Sequence, residues 1–182
     1  MNTTTNPLVD FGTRAAHACM AAAFVASYLT AESEYWRLVH VYTGYLLGAA
    51  LLFRAIWGWF GPATAKFSIL TRRLGMWPFW LAKIKNGEWQ THAFMVGASG
   101  WLLAFIVVFI YAFCIFSVAS GVLTYNDLLS DGFLKDAMEE LHEVFSNFAL
   151  LMILTHVSMI ICLRIWRGPN AVRPMWSGRH KS

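Results

Sequence analysis

The sequence holds 182 residues, 58% of them apolar and 13% charged, with fourteen Phe and nine Trp. A soluble domain of this size carries roughly 25% charge, so the composition argues against an ordinary water-soluble core and for a chain embedded in lipid. The formal charge of +4 does not indicate nucleic acid, because the basic residues form no stripe beside stacking aromatics.

A spanning helix needs ~20 mainly apolar residues, and four segments qualify as candidates. The first, 15–31, is Ala-rich and the weakest. The second covers 38–59, the third and most apolar covers 93–122, and the fourth covers 144–165. Gly61-Pro62 ends the second and Gly168-Pro169 ends the fourth, as expected of residues that stop helices. The first segment also has the position of a secretory signal. Its only preceding cation is Arg14, with Asp10 nearby, and no small-x-small cleavage site follows it. The expectation is one all-α membrane domain over 1–182, a four-helix bundle with a loop at 61–91 and a tail at 167–182.

Lys and Arg gather on the cytoplasmic side of membrane proteins. Arg14, Lys66, Arg72, Arg73, Lys83, Lys85, Arg164, Arg167, Arg173, Arg179 and Lys181 fall on one side of a four-span arrangement. The other side has Arg37 and Lys135 against Glu32, Glu34, Asp127, Asp131, Asp136, Glu139, Glu140 and Glu143. That asymmetry places both termini, the loop and the tail in the cytoplasm of a multi-pass membrane protein. Trp57, Trp59, Trp77, Trp80 and Trp89 cluster at the same interface, where indole rings favour the headgroup level.

Cys19, Cys114 and Cys162 lie scattered in apolar runs and form no disulfide framework, zinc spacing or C-x-x-C-H. The histidines are more informative. His17, His40, His92, His142 and His156 lie in or at the ends of the spans, where a polar side chain is costly and usually functional. With spans of alternating direction, His17 and His156 share the cytoplasmic level, and His40 and His142 share the outer level. His142 and His156 are fourteen residues apart, ~21 Å along a helix and within about 40° of the same face. Two stacked haems need this pattern, each iron taking one imidazole from each of two facing helices, and bundle cores commonly hold such sites. The competing reading is histidine as polar glue between helices.

Gly44 and Gly48 follow His40 by one and two turns. They would let a flat porphyrin approach the backbone, or they form a small-xxx-small packing face. Arg54 lies inside the second span and Arg14 one turn before His17. Both are candidate partners for haem propionates through charge-assisted hydrogen bonds, against snorkelling to the headgroups. His92 has no partner at its level, so a quinone ligand, a propionate contact and a plain interfacial histidine stay open. His180, in the tail, is not expected to be a ligand. The acidic outer face suits a basic redox partner or is simply a solvated loop.

Taken together, Arg14-x-x-His17, His40-Val-Tyr-Thr-Gly44-Tyr, Phe53-Arg54-Ala-Ile-Trp57-Gly58, Thr91-His92, Leu141-His142-Glu143, Thr155-His156-Val157 and Met175-Trp-Ser-Gly178 resemble the bacterial cytochrome b561 family. That family includes the B-type cytochrome subunit of nickel–iron hydrogenases. The resemblance implies a four-helix core with two haem b groups. It implies His17 and His156 as axial ligands of the inner iron, and His40 and His142 as ligands of the outer iron. It further implies electron transfer between a periplasmic partner and the quinone pool. A c-type cytochrome and a dehydrogenase or hydrogenase subunit are the partners it suggests, with a stand-alone superoxide:quinone oxidoreductase as the rival and an electron-transfer component preferred over a self-contained enzyme. Two departures stand out: Ala18 follows His17 where the family often has Trp, and Thr91-His92-Ala93-Phe94 replaces Gly-His-Asn-Pro.

Overall fold

The computed structural model describes residues 9–87, 92–126 and 132–167. Trp89, Thr91, Asp127, Asp131, His180 and the tail beyond 167 lie outside the described residues, as does the side chain of His92. Among the described residues the chain is helical, without strands: α1 Phe11–Leu29, a 3-10 turn Glu34–Trp36, α2 Arg37–Phe60, α3 Ser68–Leu74, α4 Trp77–Lys85, α5 His92–Tyr125 and α6 Phe133–Arg167.

α1 begins where Asp10 takes the N-cap. Its carboxylate accepts from the Thr13 N–H at 3.0 Å and the Thr13 hydroxyl at 2.7 Å. Such a cap is worth about 1 kcal/mol. The same carboxylate accepts from the Trp57 indole at 2.7 Å, and the Trp57 ring lies against Gly12, where a Cβ would come within 2.9 Å of it. The start of α1 is thereby pinned to the end of α2, and the end of α1 meets the start of α2 through Ser27 and His40. The two helices are therefore antiparallel. Burial pushes the Asp10 carboxyl up, but the hydrogen bonds from Thr13 and Trp57 outweigh it and hold the group below its ordinary range.

α2 ends at Gly61, whose N–H bonds the Trp57 carbonyl at 2.9 Å and where any side chain would collide with that carbonyl. α3 and α4 occupy the segment read from sequence as a loop, with Pro78 in the first turn of α4, a position where its missing N–H costs nothing. The Trp101 indole donates to the Leu74 carbonyl at 3.3 Å and fastens the end of α3 to α5.

α5 and α6 are also antiparallel. Phe113 stacks on Phe148 and Phe116 on Phe145, at 5.4 and 5.2 Å, and the Ser117 and Ser146 hydroxyls meet at 2.7 Å. A core of Ala23, Leu47, Leu51, Cys114 and Ala149 draws from all four long helices. Outside it, Leu46, Leu52, Ile115, Leu151, Leu154 and Ile161 are exposed. So much exposed apolar surface marks a contact with lipid or another protein. The segments Glu34–Phe60, Gly97–Tyr125 and Phe133–Trp166 are long and apolar enough to cross a membrane. α1, 19 residues long, is not among those three, because Arg14 and His17 interrupt its apolar run with a charge and a polar ring that lipid disfavours. At ~1.5 Å per residue, α6 is longer than the bilayer core. Its acidic first turns, with Asp136, Glu139, Glu140 and Glu143, are the part that lipid would exclude.

Candidate functional site

The short link between α1 and α2 returns the chain so that Ser27, in the last turn of α1, stands beside His40. The His40 Nδ1 lies 2.9 Å from the Ser27 carbonyl oxygen and 3.3 Å from its hydroxyl, while that hydroxyl donates to the His40 carbonyl at 3.4 Å. His142, in α6, is held in the same way by α5: its Nδ1 lies 2.8 Å from the Ser117 carbonyl oxygen. A carbonyl only accepts, so each Nδ1 carries the hydrogen and each Nε2 keeps its lone pair. Orientation of a ligating histidine through its second nitrogen is a regular feature of metal sites.

The two rings are neighbours in an edge-on arrangement, with centroids 5.9 Å apart and planes 85° from parallel. That separation is close to what one metal between two imidazoles requires, at ~2 Å per metal–nitrogen bond plus the ring radius on each side. A cavity of about 750 Å³ surrounds them, with Ser27, Gly44, Ser117 and Gly121 among its walls; ligand clefts run from roughly 300 to 1,000 Å³. Its lining also includes Glu32, Glu34, Glu139 and Glu143 together with Arg37 and Lys135. Gly44 opens onto the cavity, whereas a Cβ on Gly48 would come within 3.0 Å of Val118 in α5.

His17 in α1 and His156 in α6 lie close enough for their charges to interact. The His17 ring is exposed, while the Nδ1 of His156 is buried with no hydrogen-bond partner among the described residues. Arg54 lies fourteen residues after His40 on α2, the same step that separates His142 from His156 on α6. Its Nη1 is likewise buried without a hydrogen-bond partner among the described residues. Its guanidinium sits 4.8 Å over the Phe67 ring and interacts with the Tyr111 hydroxyl through charge and a hydrogen bond. Buried polar atoms left unpaired cost about 1–3 kcal/mol each, so this end has donors to offer an acidic ligand. Arg14 is half-buried, one turn ahead of His17.

The donor set fits haem better than a bare ion. Among the described residues there is no cluster of three or more His, Cys, Asp or Glu able to cage a metal. Paired imidazoles suit a metal whose remaining positions are filled by its own macrocycle. Sequence reasoning picked out the histidines but missed Ser27, Ser117 and Gly121, which act on them from neighbouring helices. The available signal was the run Ser117-Val-Ala-Ser-Gly121, small and polar inside the most apolar span.

The sequence pattern of the prokaryotic cytochrome b561 family matches residues 8–178. Comparison with curated proteins and with solved structures gives no match.

Proposed function

The chain belongs to the prokaryotic cytochrome b561 family, membrane cytochromes that carry b-type haem in electron transport, and from that premise we propose that it is a di-haem carrier between a periplasmic partner and the quinone pool of the inner membrane. In this reading α1, α2, α5 and α6 cross the bilayer, with both termini in the cytoplasm. His40 and His142 hold the outer iron, and His17 and His156 hold the inner one. The observation that carries the reading is the neighbouring pair His40 and His142, each with Nδ1 tied to a backbone carbonyl.

Bound haem supplies the one-electron chemistry. The protein's part is to bind, orient and insulate. Ser27 and Ser117 fix the two outer imidazoles through their Nδ1 atoms. The apolar core of Ala23, Leu47, Leu51, Cys114 and Ala149 keeps water from the space between the two levels. Arg54 and Arg14 offer donors to propionates at the inner level, and His92, at the start of α5, remains a candidate contact for quinone or propionate. The cavity lining has four carboxylates against two cations, which favours a basic protein such as a c-type cytochrome, or a basic face of a dehydrogenase or hydrogenase subunit, over an anion such as superoxide.

The test uses the purified full chain in liposomes. A quinol analogue should produce the absorption band of reduced haem b without another reductant. A basic c-type cytochrome added outside should then reoxidise it, at a rate that falls as salt rises. Haem that stays oxidised with quinol would contradict the quinone assignment.

A further inference from the structure

His142 is set less by its own helix than by α5, which carries neither histidine of the outer pair. Ser117 and Gly121 are one turn apart on α5, so they present one face to α6. The Ser117 carbonyl takes the Nδ1 hydrogen at 2.8 Å. At Gly121 an added Cβ would stand 2.8 Å from the His142 Cε1 and 2.9 Å from its Nδ1, well inside ordinary contact distance. The imidazole therefore lies directly over the bare Cα.

We propose that Gly121 is the positioning residue of the outer haem ligand. Its missing side chain makes the gap that lets the ring settle with Nδ1 on the Ser117 carbonyl and the imidazole beside His40. Any side chain at 121 pushes the ring away from both. The inference rests on the reading of His142 as an axial ligand. The sequence drew attention to Gly44 and Gly48, but the structure separates them from Gly121. A Cβ at Gly44 would meet only the Ser27 hydroxyl, at 4.0 Å, and one at Gly48 would press on Val118 rather than on a histidine. Gly100, also on α5, has nothing within 4 Å.

Gly100 provides the matched control, since replacing either it or Gly121 by Ala brings the same gain in helix propensity. Haem per chain and the low-spin ferric resonance spectrum are measured on the full chain carrying Gly121→Ala, Gly100→Ala, His142→Ala, or Gly121→Ala with His142→Ala. Gly121→Ala should fall from two haems to one and lose the same resonance that His142→Ala loses. Gly100→Ala should keep both. In the His142→Ala background the Gly121 change should add nothing, because the ring it strikes is gone. Two haems with an unchanged resonance in Gly121→Ala would overturn the proposal. So would an equal further loss of folded protein when Gly121→Ala is placed in the His142→Ala background, which would make Gly121 a packing residue. Two haems in His142→Ala itself would instead remove the ligand reading beneath it.

Discussion

The two histidine pairs share α6 and draw their second member from α2 and α1, yet their surroundings differ. At the outer pair the protein satisfies its own groups: His40 rests on Ser27, His142 on Ser117, and the rings are already edge-on neighbours at 5.9 Å. At the inner pair the His156 Nδ1 and the Arg54 Nη1 are buried with no hydrogen-bond partner among the described residues, and the His17 ring is exposed. Each uncompensated buried group costs about 1–3 kcal/mol. The outer pair is thus held by backbone carbonyls, while in the proposed reading the inner pair would take its missing acceptors from the ligand. Preorganised ligands give up less freedom on binding, so in the proposed reading the outer level takes up haem with less rearrangement than the inner.

Replacement of Arg54 by Leu should give the larger effect on this contrast. It removes the positive charge at the inner level and leaves Ser27 and Ser117 untouched. The midpoint potential of one haem should become more negative by tens of millivolts, about 59 mV for each tenfold change in the redox equilibrium. The other haem should hold its value. A redox titration in which both potentials move equally would mean that Arg54 does not distinguish the levels.

A smaller effect is expected from Asp10→Ala, which breaks the clamp between α1 and α2 at the His17 end. Loss of the cap should cost about 1 kcal/mol, read as a lower unfolding temperature. The folded carboxyl is held below its ordinary value, so its contribution is complete above the ordinary carboxylate range and is lost as pH falls through the lowered folded value. The gap between wild type and Asp10→Ala should therefore close in acid. A gap that widens in acid would contradict the hydrogen-bond geometry at Asp10.

Sequence alone was most informative where one helix carries its own pattern. α2, α5 and α6 were legible from apolar length, and the fourteen-residue step from His142 to His156 from helical geometry. α1 was marginal because Arg14 and His17 interrupt a short, Ala-rich run, and its histidine, more than its hydropathy, singled it out. α3 and α4 were hidden, since seven and nine residues give too few turns for an apolar period to show. Ser27, Ser117 and Gly121 were hidden for another reason. Each acts on a histidine of the adjacent helix, a relation set by helix pairing that no spacing along one segment displays. Gly48 illustrates the converse: its spacing from His40 is regular, but packing turns it to Val118.

Haem per chain, measured on the purified protein by extraction and absorbance alongside a protein assay, bears most directly on the paired-histidine account. Two haem b per chain in the wild type, and one in each of His40→Ala and His156→Ala, are the values it requires. A single haem in the wild type, or a full pair retained when either of those histidines is removed, would contradict it.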